Sequence, residues 1–114
     1  MENKMKNDCK NYNKLVRDKI PEIIKNNGET PVVRILDDSE YKFELEKKLF
    51  EEYNEVIGAS GNDRIEELAD MLEVISALAR VEGQSLDQVV EVAKQKVIKR
   101  GSFNNKIYLE SVNK

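Results

Sequence analysis

Residues 51–79 read EEYNEVIGASGNDRIEELADMLEVISALA, and the fold is decided here. In the closing third, from Met71 to Ala79, only Glu73 and Ser76 are polar. A helix apolar on nearly every side has to be buried on most of them. The remaining helical segments are too few to surround it, so the pattern predicts packing against a second copy of the chain. Upstream, GASGN at 58–62 reads as a turn, and the helices on either side of it are expected to be antiparallel neighbours. Glu52 and Glu55 stand three apart on the first helix, Glu67 and Asp70 three apart on the second. Residues so spaced lie about 60° apart around the axis and share a face. The two pairs can therefore face each other. Four carboxylates in a partly buried space repel, and without a cation some must stay protonated. A hard divalent cation such as Mg2+ takes oxygen ligands and relieves that repulsion. In a chain this acidic, chance alone supplies about four acid-x-x-acid pairs. What singles these two out is that they flank one turn and that Asp70 stands at the threshold of the most apolar helix.

Working outward, Asp38 or Ser39 can cap a long helix reaching Ile57, with Leu45, Leu49, Tyr53 and Val56 at helical spacing, flanked by Phe50 and Ile57. Asp63 with Glu66 forms a capping-box pattern for the next helix, which ends at Gly83. Ser85 with Gln88 forms another, opening a helix with the stripe Leu86, Val90, Ala93 and Val97 that stops at Gly101. Before these, KLVRDK at 14–19 leads into a short helix from Pro21 to Asn27, with Gly28 past its end. Asp18 reads as a cap for it. PVVRIL at 31–36 and KIYL at 106–109 read as short strands that could pair. The expected fold is all-α: a bundle of three long helices and one short helix, two short peripheral strands, and a core completed by oligomerisation. Residues 1–11, rich in Asn and Lys, are expected to be a disordered arm, and residues 12–114 a single domain.

Composition narrows the chemistry. The 114 residues suit one domain, and 36% of them are charged against 39% apolar. The lack of Trp and the 6% aromatic content speak against a β-sandwich built on large aromatic anchors. There is no histidine, which removes the Ser-His-Asp triad, the Cys-His pair and His-ligated zinc together. A net charge of −3 leaves no electrostatic footprint for nucleic acid, although a small phosphate-bearing ligand responds only to local charge. No apolar run is long enough to span a membrane, and the polar Met1–Lys10 segment does not resemble a secretory signal. The lone Cys9 can form no internal disulfide, which suits a cytoplasmic protein.

Candidate phosphate ligands are basic. Lys96 and Arg100 continue the face of Val89 and Ala93 at the end of the last helix, where they either meet a phosphate or compensate the helix dipole. Lys48, one turn before Glu52, can reach a metal-bound phosphate or form an ordinary i,i+4 ion pair. Lys14, Arg17 and Lys19 form a small cluster ahead of Pro21. Glu51 is either a base behind the metal ligands or solvent-facing, and Glu73 a further ligand or an inter-subunit partner. Phe103 and Tyr108 either stack on a base or pack in the core.

Glu51-Glu52-Tyr53-Asn54-Glu55 followed by Glu67-Leu68-Ala69-Asp70 resembles the EExxE…ExxD signature of the all-α NTP pyrophosphatases, a superfamily that includes MazG-like proteins, dimeric dUTPases and phosphoribosyl-ATP pyrophosphohydrolase. The opening YNKLVRDKIP at 12–21 is similar to the start of a MazG-like branch of predicted house-cleaning pyrophosphatases. KRGSF at 99–103 with KIYL at 106–109 resembles that branch's end, with Ser102 where a second Gly often stands. The resemblance spans roughly residues 12 to 109. It implies that Glu52, Glu55, Glu67 and Asp70 hold Mg2+, with Mn2+ a possible substitute, and carry catalysis. It also implies hydrolysis of a nucleoside triphosphate to a monophosphate and pyrophosphate, phosphate contacts from Lys14 and Arg17, and a bundle assembled as a homo-dimer or homo-tetramer. Two alternatives stand beside this reading: a phosphoribosyl-ATP pyrophosphohydrolase of histidine biosynthesis, which the 12–21 block speaks against, and a non-catalytic helical dimerisation or nucleotide-sensing module.

Overall fold

Asp37 and Glu40 set where the first long helix begins. In the computed structural model, which describes residues 10–114, the Asp37 carboxylate accepts the Glu40 N–H at 2.8 Å and the Glu40 carboxylate accepts the Asp37 N–H at 3.3 Å. This reciprocal box satisfies two of the donors that a helix start leaves unpaired. The cap is therefore Asp37, not Asp38 or Ser39; Asp38 becomes a first-turn acid, where the helix dipole favours it. Arg34 adds a fork onto the same Glu40, at 3.1 and 3.2 Å. Its guanidinium and the Asp37 N–H hold the Glu40 carboxyl below the usual carboxylate range.

Four helices follow one another: α1 Ile20–Asn26, α2 Asp38–Ile57, α3 Gly61–Val81 and α4 Leu86–Arg100. α1 begins one residue earlier than its sequence pattern suggests, with proline in its first turn and Lys19 rather than Asp18 at the cap position, without a side-chain cap. The turn between α2 and α3 is shorter than GASGN, because α3 already starts at Gly61. Gly61 takes φ 59°, a left-handed conformation open to glycine at little cost. Asp63 then falls inside the first turn, so the expected Asp63–Glu66 box gives way to a first-turn acid. At the far end α3 stops at Val81, and Gly83 at φ 79° donates to the Arg80 carbonyl while Gln84 donates to that of Ala79, both at 2.9 Å. That bond pair is a Schellman cap. The Ser85–Gln88 box opens α4 as the sequence indicates, with bonds of 3.2 and 2.6 Å, and the helix ends before Gly101.

The two expected strands are corrected: among the described residues there is none. A strand exists only through a hydrogen-bonded partner, and β-branched content alone supplies none. In the 31–36 segment Val32 is 96% and Ile35 93% exposed, and Arg34 is committed to Glu40. At 106–109 the backbone opens on a turn instead: Lys106 takes φ 61° and its N–H bonds the Phe103 carbonyl at 3.3 Å.

The chain divides into two compact units, one ending at Val74 and the other Ile75–Lys114, with the boundary inside α3. In the first unit, Tyr41, Glu44, Leu45, Lys48, Leu49, Glu52 and Val56 of α2 are buried or half-buried. Their spacing of three and four traces one helix face. That face departs from the expected apolar stripe at one place, where Glu52 takes the inward position and Tyr53 stays half-exposed, stacking on Phe50 at 6.1 Å between ring centroids. On α3, Glu67, Asp70, Met71 and Val74 repeat the pattern. In the second unit, Ser76, Ala77 and Ala79 are buried, and Arg80 donates to the Ser76 hydroxyl at 2.9 Å. Val90, Val97 and Ile98 of α4 stay substantially exposed, as do Phe103 and Tyr108, which pack in no core. Residues 1–9 of the expected arm, Cys9 among them, lie outside the described residues. No helix among those described is long and apolar enough to cross a membrane.

Replacing Asp37 with Ala should cost about 1 kcal/mol by removing the cap, whereas Ser39→Ala should stay within about 0.5 kcal/mol. Urea unfolding of the two variants measures the difference.

Candidate metal centre

The inward faces of α2 and α3 each carry acids, and the short turn between the helices brings the acids together. One carboxylate oxygen from each of Glu52, Glu67 and Asp70 lies within 4.8 Å of the other two, and all three residues are half-buried. Glu55, the fourth acid expected there, is exposed because it falls off the stripe that carries Glu52 and Val56. It lines an open concavity with Asn54, Gly58, Asp63, Glu66 and Glu67 at the end of the same helix pair.

Crowding shows in the acidities. Partial burial pushes the Glu52 carboxyl above its ordinary range, Lys48 pulls it back, and the charges on Asp70, Glu51 and Glu55 push it up again. Burial likewise raises Glu67, reinforced by Glu55, Asp70, Glu52 and Asp63. Carboxyls raised by their neighbours form a site short of positive charge.

Two cations answer that shortage. Arg17 donates from a guanidinium nitrogen to Asp70 Oδ1 at 2.6 Å, joining residues 53 positions apart. Lys48 is half-buried on the α2 face and reaches Glu51 at 3.6 Å, so Glu51 is an ion-pair partner here. Lys14 is exposed in the segment before α1. Lys96 and Arg100 are exposed one turn apart near the end of α4, in the second unit. The structure thus brings Glu52, Glu67, Asp70, Arg17 and Lys48 into one neighbourhood of the first unit, with Glu55 at its edge. The Arg17–Asp70 pair carries no local signal in the sequence, since neither spacing nor propensity links positions so far apart.

The donor set suits a hard divalent ion. All three ligands are carboxylate oxygens, and three leave the remaining octahedral positions for water or ligand oxygens. Oxygens around an octahedral Mg2+ lie about 2.9 to 4.2 Å apart, somewhat closer than the 4.8 Å within which the three oxygens of the cluster lie. Mn2+ accepts the same donors.

No protein-family model matches the chain, and no solved structure matches it. An uncharacterized protein of Mycolicibacterium smegmatis is 51% identical over 49 residues, covering 43% of this chain and 50% of that protein. The matched stretch thus spans about half the length of that curated relative.

If the cluster binds a divalent ion in the native state alone, saturating Mg2+ at about a hundredfold above Kd should add about 2.7 kcal/mol of stability. Glu67→Gln should abolish most of that gain while stabilising the metal-free protein at neutral pH. A carboxyl whose folded pKa is raised contributes stability in acid and loses it as pH rises through that pKa. The advantage of the Gln variant should therefore shrink as pH falls. Thermal melts across pH, with Mg2+ and with chelator, read both effects.

Proposed function

We propose that the chain is a Mg2+-dependent nucleoside triphosphate pyrophosphohydrolase that clears non-standard or surplus nucleotides in the cytoplasm. The single observation carrying this reading is the contact of Arg17, from the 12–21 block, with Asp70, from the ExxD block, at 2.6 Å. Two stretches that resemble the all-α NTP pyrophosphatases separately in sequence meet at one cluster of acids.

In this reading Glu52, Glu67 and Asp70 hold Mg2+, or Mn2+ in its place, and Glu55 completes the set from the edge of the cluster. The ion, when bound, supplies positive charge to the phosphates and lowers the pKa of an attacking water. The chain's own groups do the rest. Glu51 holds the Lys48 ammonium through its ion pair, which steadies that cation beside Glu52. Lys48 and Arg17 place fixed positive charge where non-bridging oxygens become more negative in the transition state. Lys14, Lys96 and Arg100 are assigned to the polyphosphate as well. The functional unit is a homo-dimer or homo-tetramer. Supporting this assembly, Val90, Val97 and Ile98 on α4 and Val32 and Ile35 before α2 lack burial, and exposed apolar surface of that kind marks interaction sites.

A panel of standard and damaged nucleoside triphosphates, together with phosphoribosyl-ATP, assayed for pyrophosphate and orthophosphate with and without Mg2+, tests the reading. The expected result is metal-dependent pyrophosphate release with a monophosphate product. Glu52→Gln and Asp70→Asn should each lower turnover by at least the ten- to hundredfold (about 1.4 to 2.8 kcal/mol) typical of groups that merely orient metal ligands. Orthophosphate alone would mean cleavage at the terminal bond and a different reaction. Preference for phosphoribosyl-ATP would select the histidine-pathway enzyme, and nucleotide binding without product the sensing module.

A further inference from the structure

Arg17 is paired with one of the carboxylates that a divalent ion would use. Its guanidinium lies 2.6 Å from Asp70 Oδ1, and Asp70 is one of the three residues whose oxygens come within 4.8 Å of one another. Its backbone is fixed, because its carbonyl accepts the Ile20 N–H at 3.0 Å and so holds the residue at the mouth of α1. Its side chain is not fixed: 57% of it is exposed, as is 46% of that of Asp70. An anchored backbone with a solvated guanidinium can swing without disturbing the helices around it.

We infer that Arg17 is an exchangeable counter-ion, resting on Asp70 in the metal-free protein and released by a divalent cation to grip the phosphate of the incoming nucleotide. The inference rests on the metal-site reading above and adds a sequence of events to it. Exchange is cheap, because an exposed ion pair contributes at most about a fivefold factor to an equilibrium. A dication facing three carboxylates readily outcompetes it. A guanidinium also presents two parallel N–H donors that match phosphate oxygens, so the released group has a better partner in a nucleotide than in bulk water.

Exchange demands opposite signs from one substitution. Removing Arg17 frees Asp70 and removes a repelling charge, so Mn2+ alone should bind Arg17→Gln about three- to fivefold more tightly than wild type. With Mn2+ saturating, a non-hydrolysable nucleoside triphosphate analogue should bind the same variant about tenfold more weakly, having lost a charge-assisted bond. Arg17→Lys keeps the charge and loses the fork, so it should return Mn2+ affinity to near wild type and restore only part of the nucleotide affinity. Isothermal titration of the chain with Mn2+, then with the analogue, measures all six values. Urea unfolding of each variant confirms that the folded protein is being titrated.

Tighter metal with weaker nucleotide supports the exchange. Metal binding to wild type together with unchanged or weaker metal binding to Arg17→Gln overturns it, and shows Arg17 to be a fixed support for Asp70 while the metal site stands. Absence of any Mn2+ binding to wild type overturns the metal site and the exchange together.

Discussion

Repulsion among carboxylates that share a half-buried space is the constraint on which the first unit depends. Helix α2 turns inward a face on which Glu44, Lys48 and Glu52 alternate with Tyr41, Leu45, Leu49 and Val56. Charged groups are rarely placed inward unless something compensates them. Compensation here is local and partial. Lys48 and Arg17 each face an acid, yet Glu52 and Glu67 still sit above their ordinary range. The helix pair thus keeps raised carboxyls on its facing sides that the two nearby cations do not fully offset.

The buried apolar core is sparse. Among the described residues Leu45, Val74, Ala77 and Ala79 are the buried apolar ones, while Phe50, Ile98 and Phe103 remain at the surface. Helix starts and stops therefore carry a large share of local order. The Asp37–Glu40 box, the Schellman turn at Gly83 and the Ser85–Gln88 box each satisfy backbone groups that packing leaves open.

Much of this was legible in the sequence, for a definite reason. Caps are local: Ser85 and Gln88 stand three apart, and a box between them needs nothing else in the molecule. Three of the four acids expected to face one another, Glu52, Glu67 and Asp70, do come together, because a turn of a few residues fixes which helix faces meet, whereas Glu55 lies outside the cluster. Where local signals compete, the sequence alone does not choose between them. Asp37, Asp38 and Ser39 are all good caps, and only Asp37 also puts a Glu three residues on. Tyr53 fits the apolar stripe by spacing, whereas in the structure Glu52 is the more buried of the two and the Tyr53 ring stacks on Phe50. The two strands failed for the converse reason. Propensity is a property of a segment, and a ladder is a property of a pair. The bond between Arg17 and Asp70 belongs to the same class, since no pattern within either block announces the other.

Arg34 bears on how the chain behaves when many copies are crowded together. The run PVVRIL is β-prone, and Val32, Val33 and Ile35 in it are exposed, which is the profile of a segment that templates strand stacking between molecules. One charge interrupts it. Because that charge is forked onto Glu40 at 3.1 and 3.2 Å, stacking would have to break a contact that also supports the first turn of α2. The gatekeeper and the helix start are the same cluster of atoms, so resistance to aggregation is tied to the integrity of a helix cap.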